Sequence, residues 1–358
     1  MPEDRELVSA TVARIRGADA ACAAAVQRAM DRKTKPRGSL GRLETIASRV
    51  AGIRGLPAPG PAPCVVIVAA ADHGIAAENV SAYPQEVTAQ MVRNFAAEGA
   101  AVCVLARRAG ARLVVVDAGV VTDLGEVPGV LDRRIGPGTA NATRGPAMTP
   151  DQAFRALAAG IELAEELARQ GAGLIGLGEM GIANSTSAAA IVAVLLHVDP
   201  AAVCGRGTGV DDAGLARKVD AVRRALAANA DAVEVREPVG VLSAVGGFEI
   251  GVLSGVVLGA AAARIPILLD GFITSAAALV AARISPACVE SMLASHRSTE
   301  PGHSRVLEAL ELEPILDLGM RLGEGSGAAL AIPIVNASLG LLAEMATFHD
   351  ANVTDAGA

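Results

Sequence analysis

The chain has 358 residues, of which 52% are hydrophobic but only 2% aromatic, and it carries a net charge of −7. That length suits one large α/β domain with a smaller partner, and the scarcity of rings leaves Ala, Val, Leu and Ile to build the core. The acidic balance, with no basic block or stripe, argues against a nucleic-acid partner.

The five cysteines, Cys22, Cys64, Cys103, Cys204 and Cys288, are scattered and odd in number, which suits buried thiols in a reducing cytoplasm. The charged segment MPEDRELVSATVARIRG has no signal-type apolar core. The apolar runs further on are short or interrupted, by Glu249 and Arg264 in one case and Pro333 and Asn336 in another. They are expected to be buried rather than to span a membrane.

In chain order, residues 3–32 are expected to be helical, followed by the loop KPRGSLG at 35–41 and a helix from about Leu43. Four prolines within GLPAPGPAP (55–63) mark a boundary, because they suit neither a helix nor a central strand. Beyond it, β-branched runs of strand length at 64–70 and 112–116, with weaker ones at 173–176, 265–269 and 288–293, alternate with helical patterns. Those helices are expected at 86–108, 150–169, 185–197, 211–229, 248–263, 274–283 and about 328–347. Apolar strands separated by helices predict a doubly wound, mostly parallel sheet, and the loops at the strands' carboxyl ends are where chemistry is expected.

Asp72 and His73 follow the first strand, with the chain's only tyrosine, Tyr83, a few residues on. Asp72-His73 suggests acid–base chemistry or a polar strand-end turn, and Tyr83 a wall for a flat substrate or ordinary packing. GLGEMG at 176–181 has the spelling G-x-G-x-x-G before a helix, but no acidic strand end follows at the dinucleotide-binding spacing. A phosphate or ribose cradle is the reading retained, with Glu179 facing a cationic ring or a ribose hydroxyl. In GRGTG at 205–209, alternating glycines free backbone N–H groups for an anion, and Lys218 adds charge; an ordinary loop before an Asp-capped helix is the alternative. The segment SHRSTEPGH at 295–303 invites a Ser/His nucleophile, though no G-x-S-x-G elbow exists. In RLGEGSGA at 321–328, glycines flank Glu324 at the start of an apolar helix. There a carboxylate either has a raised pKa and serves as a base, or sits solvated at the helix N-terminus.

Taken together, KPRGSLG, DHG at 72–74, SAYPQEVT at 81–88, GEMGI at 178–182, GRGTG, the 295–303 segment and GEGSGA at 323–328 occur in the order found in one family. The chain thereby resembles the nicotinate-nucleotide–dimethylbenzimidazole phosphoribosyltransferases. Arg37 departs from the family's usual proline, and Arg206 differs from some members. The resemblance implies a large parallel α/β domain at 61–329, a small helical domain from 1–60 with about 330–358, and a cytoplasmic homodimer. It implies transfer of the phosphoribosyl group of nicotinate mononucleotide to dimethylbenzimidazole with inversion at C1′, and no cofactor or metal. Glu324 matches the general base, with Glu179 a second active-site carboxylate. The acceptor base is expected near Ser81, Tyr83, Gln90 and Met180. The nucleotide is expected near Gly176, Gly178, Gly181, Asn184, Gly205, Gly207, Thr208, Gly209, Lys218 and Ser298. The alternatives are another aromatic base as acceptor, or a non-catalytic nucleotide-binding protein.

Overall fold

A computed structural model describes residues 2–354. Six strands, β1 (Cys64–Ala71), β2 (Arg112–Gly119), β3 (Val130–Asp132), β4 (Leu174–Met180), β5 (Ile267–Leu269) and β6 (Met292–Ala294), form one sheet. Their order is β3-β2-β1-β4-β5-β6, and every pairing is parallel. The chain thus winds outward from β1 in one direction, then returns beside it at β4 and winds outward in the other. The crossover connections leave on opposite sides at that point, so a crevice opens between the carboxyl ends of β1 and β4.

Alternation along β1 assigns the two faces. Val65, Ile67 and Ala69 belong to one core and Val66, Val68 and Ala70 to the other. The first core is built against the helices Pro150–Arg169, Asn184–Leu196, Phe248–Ala262 and Phe272–Ile284; the second is built against Arg42–Arg54, Val87–Ala96, Ala101–Arg108 and Ser326–Glu344. The termini are tied together where Thr34 N–H donates to the Ala346 carbonyl and Phe348 N–H to the Arg32 carbonyl. The helix Ser326–Glu344 has the length and apolarity to cross a membrane, but it packs on β4 and the N-terminal helices, with Pro333 on its exposed side.

Several expected elements differ in detail. The single helix expected at 3–32 is two, Pro2–Arg14 and Ala20–Asp31, because Asp19 accepts the Cys22 N–H and starts a new helix. Pro2–Arg14 crosses to the far face, where it packs on Pro150–Arg169. The helix expected at 86–108 breaks around Glu98 and Gly99, Glu98 having φ 58°. Strand β3 and the helices Ala230–Val235, Pro238–Val245 and Pro301–Ala309 carry too few periodic residues to be anticipated.

With so few rings, density comes from backbone meeting backbone. The helices Pro150–Arg169 and Phe248–Ala262 cross so closely that a Cβ on Gly160 would overlap the Val252 carbonyl oxygen, and one on Gly255 that of Leu157. Replacing a mid-helix glycine ordinarily gains about 1 kcal/mol of helix propensity. Here Gly160→Val is expected to destabilise the protein by about 3 kcal/mol through overpacking. Urea denaturation reads this directly; an unchanged midpoint would mean that the two backbones are not in contact.

Candidate active site

The crevice at the switch between β1 and β4 holds a cleft of about 710 Å³. Its floor is the end of β4, with Glu179, Met180 and Gly181, and the start of the next helix, with Asn184 and Ser185. One wall is the turn carrying Gly207 and Thr208; another is 321–324; Gly271, Phe272, His296 and Ser298 come from the ends of β5 and β6.

Glu179 and Glu324 face this cleft as buried carboxylates. Burial raises the Glu179 pKa to about 8, against the Asn184 amide that donates to its Oε2, and neighbouring Asp270, Glu249 and Glu324 push it further. Burial also raises Glu324, to about 6. Of the two settings expected for Glu324, the buried carboxyl with a raised pKa is the one found rather than a solvated one, since the residue is only 9% exposed. Its backbone is constrained as well. Gly323, Glu324 and Gly325 all have positive φ, at 82°, 62° and 82°. Glycine adopts this conformation freely, and glutamate does so at a cost of about 1–3 kcal/mol.

The turn at 205–209 is laced to its surroundings. Lys218 Nζ, buried beneath it, donates to Ser185 Oγ (2.9 Å) and the Gly205 carbonyl (3.0 Å). Burial pulls its pKa down, and Glu300 partly offsets this. Gly207 N–H donates to Glu300 Oε1 (2.9 Å), and Arg321 reaches across the mouth to donate to the Gly207 carbonyl (2.9 Å). Thr208 Oγ1 lies 3.2 Å from Ser81 Oγ and accepts the Ala82 N–H at 3.0 Å. Gly207 has φ 51°, and a Cβ there would fall 2.8 Å from Ser185 Oγ and 3.1 Å from Lys218 Nζ. Arg206 turns away from the cleft, donating to the Val210 carbonyl and to Asp212.

Several expected positions lie elsewhere. Gly176 and Gly178 are inside β4 rather than in a ligand loop, and neither lines the cleft. Cβ atoms there would lie 3.0 Å from Ala328 Cβ and 2.5 Å from Gly325 N, so these glycines make room for the start of the helix Ser326–Glu344. Gln90 is exposed and off the cleft wall; Val87 and Met91, one helical turn apart, supply that face. Ser81 acts as a latch to Thr208, while Tyr83, 56% exposed, stands at the rim. Gly205 packs against Glu300, and Gly209 (φ 102°) faces no neighbour within 4 Å; neither lines the cleft.

Asp72 and His73 prove to be scaffold. His73 is fully buried between Ser187 Oγ (2.9 Å) and Glu249 Oε1 (2.7 Å), and Asp72 Oδ2 accepts the Val121 N–H. The 295–303 segment forms no Ser/His nucleophile. Ser295 Oγ donates to the Leu269 carbonyl (2.5 Å). His303 Nδ1 accepts the Ser298 N–H (2.9 Å), so the proton sits on Nε2, which donates to Ser275 Oγ (3.1 Å). Burial depresses that imidazole to about 3, so it stays neutral. Among the described residues no group of three or more His, Cys, Asp or Glu is placed to hold a metal ion.

A phosphoribosyltransferase family model matches residues 15–353 of the chain. The chain is 49% identical over 350 residues to the nicotinate-nucleotide–dimethylbenzimidazole phosphoribosyltransferase of Chloroflexus aurantiacus, covering 98% of this chain and 99% of that one. It is 52% identical over 338 residues to the enzyme of the same name from Azotobacter vinelandii, covering 94% and 95%. Its structure is similar to the crystal structure of CobT from Thermus thermophilus, with TM-score 0.88 and 47% identity over 93% of this chain and 99% of that one.

A strained, buried carboxylate makes a stability prediction. A carboxyl whose folded pKa (about 6) exceeds its unfolded value (4.5) loses stabilising free energy as pH rises from the unfolded through the folded pKa. Glu324→Gly removes both this burden and the positive-φ strain. It is expected to stabilise the fold by about 1 kcal/mol at pH 7.5, and by less at pH 4.5. Denaturation of both proteins at the two pH values checks this; a destabilised Gly variant at pH 7.5 would show that the turn is not strained.

Proposed function

Because the chain belongs to the nicotinate-nucleotide–dimethylbenzimidazole phosphoribosyltransferase family, we propose that its cleft transfers the phosphoribosyl group of nicotinate mononucleotide to dimethylbenzimidazole, giving α-ribazole 5′-phosphate and nicotinate. The observation that carries the mechanism is Glu324. It is a buried carboxylate in a rigid glycine turn, with a pKa near neutrality, at the wall of the cleft where β1 and β4 diverge.

The acceptor ring lies between Tyr83, Val87, Met91 and Met180, with its N–H directed at Glu324. Its other nitrogen attacks C1′ from the face opposite the leaving ring. The C1′–N bond to nicotinate breaks and its electron pair returns to the pyridine nitrogen, so the configuration inverts from β to α. The proton on the attacking base passes to Glu324, which keeps the new nucleoside neutral. Departure of a pyridinium neutralises the leaving ring itself. It needs no general acid, and there is no pyrophosphate whose charge a divalent cation would offset.

Lys218 and the Gly207–Thr208 turn, whose Gly207 N–H would pass from Glu300 to the ligand, are the supports proposed for the 5′-phosphate. The lysine's two hydrogen-bond partners are neutral and Glu300 offsets its charge only in part, so an anion at the turn adds to that compensation. Glu179, neutral at pH 7 while the cleft holds no cation, ionises once a pyridinium stands beside it, since an opposite charge lowers a carboxyl pKa. Its anion then steadies the positive charge spreading over the ribose. The protein's five free cysteines suit a reducing cytoplasm, and the homodimer is proposed on the sequence resemblance alone.

Glu324→Gln preserves shape but accepts no proton. Its kcat is expected to fall by about 10²- to 10⁴-fold, with the affinity for nicotinate mononucleotide kept. Wild-type kcat should rise with pH through about 6 as Glu324 ionises, and that limb should vanish in the Gln variant. Product identification by mass, steady-state rates across pH and calorimetry together decide this. Wild-type turnover in a folded Gln variant would move the base role to Glu179, and activity lost to a chelator and restored by magnesium would refute the metal-free step.

A further inference from the structure

Asp270 is the residue that follows β5, and it is 1% exposed. Among the described residues its carboxylate makes no ion pair at hydrogen-bond distance; the nearest basic side chain given for it is His296, with Nε2 3.6 Å from Oδ1. Burial lowers the His296 pKa, so that ring is neutral at pH 7. Asp270 instead binds backbone. Oδ2 accepts the Gly325 N–H (3.0 Å), and Oδ1 accepts those of Gly327 (2.6 Å) and Ala328 (3.2 Å). These N–H groups open the helix Ser326–Glu344, whose own N-cap residue, Gly325, has no side chain with which to cap it. A carboxylate from another strand therefore supplies the cap, at the helix end that favours negative charge.

The capped backbone continues directly into Glu324. The turn at 323–325 sits at three successive positive φ values, one of them on a glutamate, and such strain persists only when surrounding contacts enforce it. The three hydrogen bonds that Asp270 accepts enforce it from one side. The bare Cα of Gly178 on β4 allows the turn to seat from the other. The titratable groups around Asp270 are His296 from the end of β6, Glu324 from the turn and Glu179 from β4.

We propose that Asp270 is a positioning residue for the transfer reaction: its carboxylate clamps the backbone of 325–328 and thereby fixes the Glu324 carboxylate at the acceptor's N–H. This rests on the reading of Glu324 as the base. Asp270 touches neither substrate; it acts through the turn. The charge of Glu324 in turn raises the Asp270 pKa, whereas burial alone raises that of Glu324.

The test is Asp270→Asn, measured by kcat and KM for both substrates across pH 5–9, with calorimetric binding of nicotinate mononucleotide and urea denaturation. An amide opposes one of the clamped N–H groups and carries no charge. A displacement near 1 Å costs about 10²-fold in rate, so kcat is expected to fall on that scale while nucleotide affinity is kept. The loss should fall on kcat, with nucleotide KM and the acid limb near pH 6 kept, because burial sets the Glu324 pKa; a merely structural role would weaken nucleotide binding together with kcat. Gly178→Ala provides the second route. Its Cβ would lie 2.5 Å from Gly325 N and 2.6 Å from the Glu324 carbonyl carbon, which pushes the same turn off the sheet without touching a charge. It should lower kcat with nucleotide affinity kept.

A folded Asp270→Asn variant with wild-type kcat overturns the proposal, as does one whose nucleotide affinity falls in step with kcat. If Asp270→Asn does not fold, Gly178→Ala decides, and wild-type kcat there overturns it. Wild-type turnover in Glu324→Gln would instead remove the base reading. An inactive Glu324→Gln beside a fully active Asp270→Asn would remove this inference alone.

Discussion

The close approach of the 323–328 backbone to β4 is the constraint on which the site depends. A helix start normally stands off a sheet by the width of the side chains between them. Here Gly176 and Gly178 present bare Cα atoms on one face of β4, and Ala328 and the peptide between Glu324 and Gly325 settle against them. Any larger residue at either strand position would lift Glu324 away from the carboxyl end of the sheet, where Glu179 and the 205–209 turn converge. The same economy runs through the molecule, as the Gly160–Gly255 crossing shows. A chain with 2% aromatic residues reaches interior density by bringing backbones together rather than by filling gaps with rings.

Seated this way, the turn collects carboxylates in an apolar setting. Glu179, Glu324 and Asp270 are all buried, and all three titrate well above the ordinary carboxylate range. An arrangement this costly in solvation suits a reaction that brings one cationic ring into the cleft and takes a proton from a second ring as that ring gains charge. The three are held differently: Glu179 by an amide, Asp270 by three backbone N–H groups, and Glu324 by the strain of its own turn. Glu324 is thus the carboxylate best placed to exchange a proton with a ligand, since it is not saturated by fixed donors.

Much of this is legible in the sequence, and what is not has physical causes. The runs at 64–70 and 112–116 and the helix at 150–169 emerge because strong periodicity survives tertiary packing. Glu324 and Glu179 stand out as carboxylates among glycines. The spelling G-x-G misleads because a glycine pair on a strand signals a close neighbour without saying whether that neighbour is a ligand or a helix. Gln90 falls off the wall because helical phase runs from Val87 to its turn-mate Met91. Asp270 is visible as the polar end of an apolar strand. Its partners lie 55 to 58 residues away and are backbone amides, which no spacing within a sequence reveals. Arg321 is hidden as a strap for the same reason, since it bonds a carbonyl 114 residues distant.

The central claim is that the cleft between β1 and β4 seats the acceptor against Glu324 and the nucleotide against the 205–209 turn. A crystal structure of the protein with dimethylbenzimidazole and the reaction product's phosphate arm bound tests it most directly. The account predicts a ring nitrogen within hydrogen-bond distance of the Glu324 carboxylate, with the phosphate at Gly207 and Thr208 above Lys218. A ring stacked elsewhere, with both nitrogens away from Glu324, or a phosphate outside the 205–209 turn, would contradict it.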